Sequence, residues 1–320
     1  MFRSYNFKVY DISGNYKFTI NPKDIKSDIY FSSILNWGNQ NLIIKLNKLD
    51  YDFEHYDLIK IYETSSNKLI YWGFVENTDY VVESGYKELD LLVLWYCSFL
   101  NFKLYIGSFD DEPANIVKIL IDEINKYYPV FSYGNIETYW QNIQLDFENK
   151  SIFDCLKQVT ETCNFSFYVN FDWKIDFYKV SSIEHKLTIG KTISKLKAST
   201  KYDNVVTRLV LKWKDGTSVY EDTTLKVKEK FIENEDLATQ DSADIYWNNY
   251  IEENKYPKET IQLDVNQLYE YENILPGHLI SIYNTELEVK QKRVSKTMYF
   301  KDRMTVYLED FTSYAKEFIS

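Results

Sequence analysis

Glycine, cysteine and histidine are all scarce in this 320-residue chain, with 9, 3 and 3 residues. So few glycines leave no GxGxxG or GxxxxGKS/T loop to cradle a phosphate. The cysteines, Cys97, Cys155 and Cys163, form no CxxC pair, and an odd number makes no complete disulfide framework. Cys155 and Cys163 fall in and just beyond a predicted helix, where a buried free thiol is the usual state. His55, His185 and His278 stand far apart without HxxxH or HExxH spacing, so no metal centre is expected. There is no GxSxG elbow, and a Ser or Cys nucleophile has no local histidine signature beside it. Neither catalysis nor a cofactor is expected. Long apolar runs are missing too. The longest, residues 91–96, is far below bilayer length, and Met1-Phe2-Arg3-Ser4-Tyr5 opens no secretory signal. Synthesis in a cytoplasm, without a membrane-spanning segment, is expected. Basic charge is in deficit: 37 Lys and Arg against 48 Asp and Glu give a net charge of -11. Specific nucleic-acid binding is therefore disfavoured, although an acidic wall lets a polyanion slide past without holding it.

Aromatic side chains are what the chain has in excess, with 29 Tyr, 20 Phe and 7 Trp. They favour half-buried pleated surfaces and subunit interfaces, so strands should dominate. Residues 7–10, 16–20, 41–46, 58–62, 68–75 and 87–96 read as short strands with turn residues between them, a small barrel over residues 1–98. The pattern then changes. Asp110-Asp111-Glu112-Pro113 starts a helix that carries Ile116, Ile119, Leu120 and Ile124 and ends before Pro129. A second helix opens at Ser151, with Asp154 as a variant capping box and Ile152, Phe153, Leu156 and Val159 on its apolar face. Residues 165–169 and 174–178 form a hairpin, completing an α+β unit over 99–190. Strands return from 191: residues 205–213, then an Asp215-Gly216 turn, and later 261–265, 279–283, 286–294 and 303–308. Residues 219–262 read as an insertion with a helix over 242–254. The fold class expected is mainly β with α+β: two small tube-like barrels separated by an α+β unit, with an α/β extension inserted in the second barrel, over residues 191–320.

A faint repeat supports the duplication. Leu58-Ile59-Lys60-Ile61-Tyr62 is echoed by Leu279-Ile280-Ser281-Ile282-Tyr283. Each is followed by a turn, a second strand and a third. Three chains with two similar barrels each would present six similar faces around an axis, which suits docking onto a sixfold tube.

The order of these motifs resembles the hub proteins of phage tail tips and baseplates, including the N-terminal hub part of siphophage tail-associated proteins. Tyr56-Asp57-Leu58-Ile59-Lys60-Ile61-Tyr62 and Leu69-Ile70-Tyr71-Trp72-Gly73-Phe74-Val75 are similar to the family's first-barrel hairpin. Ser151-Ile152-Phe153-Asp154-Cys155-Leu156, leading into Phe165-Ser166-Phe167-Tyr168, resembles its helix before the middle hairpin. Tyr202-Asp203-Asn204-Val205-Val206-Thr207-Arg208 is similar to the segment leading into the second barrel, and Leu275-Pro276-Gly277-His278-Leu279-Ile280 to the turn opening a late strand. The family commonly has an acidic residue where His278 stands. The resemblance implies a non-enzymatic virion protein, a homotrimeric ring around a channel through which DNA passes transiently. Its implied partners are the tail tube or distal tail protein, the tape measure, and fibre, spike or receptor-binding proteins. Many relatives continue into a fibre or peptidoglycan hydrolase; with the chain ending at Ser320, such activity is expected on another polypeptide. The middle unit and the insertion are expected to reach outward to partners, and the channel wall to be acidic.

Other clusters that could carry chemistry have plainer structural roles in view. Asp110, Asp111 and Glu112 could supply paired carboxylates, but a helix N-terminus accounts for them. Glu233, Glu235 and Asp236 read as a solvated loop. Asp50, Asp52 and Glu54 alternate as calcium ligands can, without the glycine an EF-hand needs. Tyr139, Trp140, Tyr246, Trp247 and Tyr250 could stack on sugars, or serve as core and interface aromatics. A hexameric distal tail protein with one barrel, and a carbohydrate-binding receptor module, are the alternatives to the hub.

Overall fold

The computed structural model describes residues 5–26, 31–35, 38–39, 41–47, 49–64, 67, 69–83, 86–170, 172–179, 181–201, 205–221, 226–256, 258–265, 274–283, 289–300 and 303–309. It is mainly β, with two curled sheets flanking an α+β unit.

The N-terminal segment supplies β1 (Tyr5–Tyr10) and β2 (Tyr16–Ile20), then β3 (Phe31–Ile34) and β4 (Gly38–Asn39), then β5 (Leu42–Leu46), β6 (Leu58–Glu63), β7 (Leu69–Glu83) and β8 (Tyr86–Trp95). The sheet order is β2-β1-β6-β7-β8-β5. Just beyond β2, Ile25 bridges Leu46, and the Lys26 amide donates to the Lys45 carbonyl at 2.8 Å, which closes the sheet on itself. Alternation decides which side chains face inward. Phe7 and Val9 on β1, Ile44 and Leu46 on β5, and Ile59 and Ile61 on β6 are buried. On the other face, Lys8 lies over the Tyr62 ring and Lys60 over Tyr10, at 4.8 and 5.0 Å, so half-buried amines are held against phenol faces.

The middle unit runs through α1 (Phe99–Phe102), β9 (Leu104–Asp111), α2 (Pro113–Asn125), β10 (Ser132–Ile136), β11 (Ile143–Ser151), α3 (Ile152–Cys163), β12 (Ser166–Val169) and β13 (Lys174–Tyr178). The Ser151 hydroxyl accepts from the Asp154 amide at 3.0 Å and donates to its carboxylate at 2.6 Å, so the expected cap forms. The apolar face of α2 is Ile116, Val117, Leu120, Ile121 and Ile124, whereas Ile119 points outward. Aromatic rings join this unit to the first barrel. Trp72 stacks on Tyr96 at 4.6 Å, and Trp173 meets Trp72 edge-on at 4.4 Å. The Tyr96 hydroxyl donates to the Val169 and Asn170 carbonyls.

The second sheet takes β14 (Glu184–Thr188) and β15 (Ile193–Lys201). After β16 (Arg208–Trp213), β17 (Gly216–Glu221), β18 (Glu229–Asn234) and α4 (Gln240–Asn254) come β19 (Lys258–Val265), β20 (Leu279–Tyr283), β21 (Val289–Tyr299) and β22 (Met304–Glu309). Its order is β14-β20-β21-β22-β19-β15. The four strands β20-β21-β22-β19 repeat the arrangement β6-β7-β8-β5, and every pairing is antiparallel in both. The closures differ. In the first barrel a hairpin, β1-β2, fills the gap. In the second, one bent segment does so: β14 runs parallel to β20, and after a four-residue turn β15 runs antiparallel to β19.

Three pairings depart from the reading of the sequence. Residues 184–188 were expected within the middle unit over 99–190, but as β14 they pair with β20 in the second barrel. Residues 205–213 were expected in the second barrel, but β16 pairs with β17 and β18 in a separate three-stranded sheet. The insertion therefore leaves the barrel after Lys201 and returns at Lys258. It also lies against the middle unit rather than standing clear. Leu237 bridges Leu145, the Gln144 amide donates to Ser242 Oγ at 3.0 Å, and Asn249 Nδ2 donates to the Thr162 carbonyl at 2.5 Å. The third departure is β3, an N-terminal segment that adds to β21 of the second barrel. The Tyr5 hydroxyl, donating to the Phe300 carbonyl at 3.0 Å, strengthens that strap. Residues 202–204 of the proposed leading segment and 286–288 of a proposed strand lie outside the described residues.

Candidate assembly surfaces

The acidic clusters resolve into structural ties. Asp111 Oδ1 accepts from the Glu112 amide at 2.7 Å and from Asn115 at 3.0 Å at the start of α2. Glu112 accepts from the Tyr139 amide at 2.7 Å, and Asp110 from Gln144 at 2.8 Å. The solvated-loop reading fails for Asp236. This residue is buried, and its carboxylate is held by Lys150. Glu233 and Glu235 are exposed, Glu233 paired with Lys212. Asp50, Asp52 and Glu54 face solvent because the residues between them turn inward: Tyr51 and Phe53 pack on Phe18 at 5.4 and 5.2 Å. The carboxylate that the sequence reading missed is Asp57. It is buried, and it accepts from Lys17 and from the Glu54 amide, each at 2.8 Å.

All three cysteines are buried and free. Burial pushes the Cys155 thiol up to about 12, and those of Cys97 and Cys163 upward as well. A protonated, enclosed thiol is a poor nucleophile. His185 and His278 share a hydrogen bond, Nε2 to Nδ1 at 3.0 Å, between β14 and the turn before β20. His55 lies far from them along the chain and pairs with Glu76 at 3.4 Å. The residues proposed for sugar stacking divide. Tyr246 is buried, Trp247 stacks on Tyr220 at 5.1 Å, and only Trp140 is fully presented, 78% exposed.

Among the described residues, the strands β7 and β9 each present an open apolar surface. The distal part of β7 pairs with β8 alone, because its pairing with β6 ends at Phe74. Its tip exposes Tyr80, Val81 and Val82, on both faces of the hairpin. The second surface is β9, which pairs with β11 on one edge and with no described strand on the other. Leu104 and Ile106, the latter 70% exposed, line its outer face. An edge of unpaired amides beside exposed aliphatics is a template for another strand. In sequence Leu104-Tyr105-Ile106 is a continuous apolar run, and nothing in it marks Leu104 and Ile106 as outward-facing.

No family model matches this chain, and no curated protein matches it. Solved structures do. The 43 kDa tail protein of prophage MuSo2 from Shewanella oneidensis superposes with a TM-score of 0.65 at 9% identity, covering 95% of this chain and 97% of the other. Prophage tail protein gp18 from Listeria monocytogenes gives 0.60 at 12% identity, with 97% and 96% covered. An E. coli component of the type VI secretion system, described as structurally similar to T4 tail proteins gp27 and gp5, gives 0.56 at 11%, with 90% and 74% covered. The fold is therefore that of phage tail proteins. The sharing extends over nearly the whole chain, two barrels and middle unit together.

Proposed function

We propose that this chain is a structural hub of a phage tail tip or baseplate, a non-enzymatic virion component. The observation that carries the reading is the repeated four-strand core, β6-β7-β8-β5 against β20-β21-β22-β19, within a fold shared end to end with phage tail proteins. Two similar barrels per chain let a homotrimer offer six similar faces to a sixfold tail tube. The exposed tip of β7-β8 and the open edge of β9 are the surfaces through which neighbours meet, since a cyclic ring joins two different patches head to tail. Distal tail, tape-measure and fibre, spike or receptor-binding proteins occupy the remaining faces. DNA passes along an acidic channel wall without being held, consistent with the net charge of -11.

The test is cryo-electron microscopy of the chain assembled with its tail neighbours. Threefold density with both barrels around one channel supports the hub. Sixfold density, with one copy at each position, would assign a distal tail role instead. A channel lined mainly by lysine and arginine would refute the acidic wall.

A further inference from the structure

We propose that the cleft between Trp140 and α4 binds a neutral oligosaccharide, a site that does not depend on ring formation. Trp140 is a large apolar ring left 78% exposed. It is nevertheless held. Its neighbour Tyr139 lies 5.5 Å away, rests edge-on against Phe165, and ties its amide to Glu112 at 2.7 Å. The two aromatic residues form one wall of a cleft of about 490 Å³, within the range of small-ligand sites.

The opposite wall, on α4, mixes Ile245 and Ile251 with the carboxylates and amides of Asp241, Asp244, Asn248 and Asn249. Asp241 and Asn248 are exposed on α4, and Gln141 follows the tryptophan. The Asp244 carboxylate is oriented by the Tyr220 hydroxyl at 2.5 Å and by Gln240 at 2.7 Å. An aromatic face opposite carboxylates and amides suits a pyranose. The ring's C–H face meets the indole, and adjacent hydroxyls donate to carboxylate and accept from amide. Among the described residues, Lys179 is the one cation lining the cleft, against Asp241 and Asp244, so the charge balance disfavours phosphate or sulfated sugars. A protein partner is disfavoured by the charged Asp241, Asp244 and Lys179 in the lining, since interface cores are depleted of charge.

The experiment is isothermal titration of the full chain with maltotriose, cellotriose, chitotriose and mannotriose, preceded by an array of neutral and anionic glycans. The inference expects at least one neutral oligosaccharide to bind. It expects Trp140→Ala to weaken that binding about tenfold or more, which is about 1.4 kcal/mol, and Trp140→Tyr to retain most of it. Circular dichroism of Trp140→Ala should be unchanged, because the ring is exposed. Binding of no neutral glycan, binding of anionic glycans alone, or equal affinity in Trp140→Ala would each overturn the proposal. So would a Trp140→Ala variant whose only defect is in self-association, measured by mass photometry. Normal ring formation by a variant that has lost sugar binding would separate this site from the hub.

Discussion

Single residues explain why short motifs persist in this fold. Gly277 adopts φ +89°, and a Cβ there would stand 1.8 Å from the Tyr178 hydroxyl oxygen. The turn at Leu275-Pro276-Gly277-His278 thus needs glycine for conformation and for clearance. Gly277→Ala should lower stability by about 1–3 kcal/mol, read as a fall in the denaturation midpoint; a midpoint equal to that of the unmodified chain would contradict it. Asp176 gives a prediction with a pH dependence. Burial raises its carboxyl pKa, so ionisation is harder in the folded state. Stability is fully present while the group is protonated and declines as pH rises from the ordinary value of about 3.9 through the raised one. Asp176→Asn keeps an acceptor for the Asn135 amide, now bonded at 2.7 Å, and removes the charge. Its melting temperature should exceed that of the unmodified chain at pH 7, with the gain shrinking below about pH 4. A lower melting temperature at pH 7 would count against burial as the cause. Neither residue's role was legible in sequence, because Tyr178 and Asn135 lie 99 and 41 positions away.

At the scale of elements, local signals were readable and long-range ones were not. The Ser151 cap and the hairpin of β12 and β13 follow from adjacent residues, and both form. The faces of α2 were harder. Ile119 sits among apolar residues, but the buried arc runs through Ile116, Val117, Leu120, Ile121 and Ile124 and leaves it outside, and periodicity alone does not rank neighbouring arcs. The fate of β16 was invisible, since an apolar strand reads alike in a barrel and in a small satellite sheet. Likewise no local feature announces that β3 crosses to β21. The junction between first barrel and middle unit rests on Trp72, Tyr96 and Trp173, with Phe131 edge-on to Trp173 at 5.2 Å. Trp173→Ala removes the ring that both units touch. It should cost about 3 kcal/mol and let the first barrel exchange amide protons faster than the second. Equal protection loss across both barrels would show that the cluster is not a boundary between them.

For the whole molecule, the repeat of Leu58-Ile59-Lys60-Ile61-Tyr62 in Leu279-Ile280-Ser281-Ile282-Tyr283 was the most far-reaching signal, because those segments become the equivalent strands β6 and β20. The outer surfaces were less legible, since exposure is a property of the packed chain. Their consequence is testable by charge. Val82 and Ile106 are 63% and 70% exposed, so lysine at either position removes no core contact and should leave the subunit folded. If neighbours meet through the hairpin tip and the open β9 edge, each lysine would be buried unpaired against the next copy, at a cost of several kcal/mol. The unmodified chain, supplied with its tail partners, should then enter the assembly as three copies of the 38.3 kDa subunit. Val82→Lys and Ile106→Lys should each give single subunits with unchanged circular dichroism. Because a head-to-tail contact needs one intact copy of each patch, mixing the two variants permits at most one productive joint, Val82 of one chain on Ile106 of the other. Mixtures should therefore stop at dimers. Trimers from either variant alone would show that the ring closes through other surfaces.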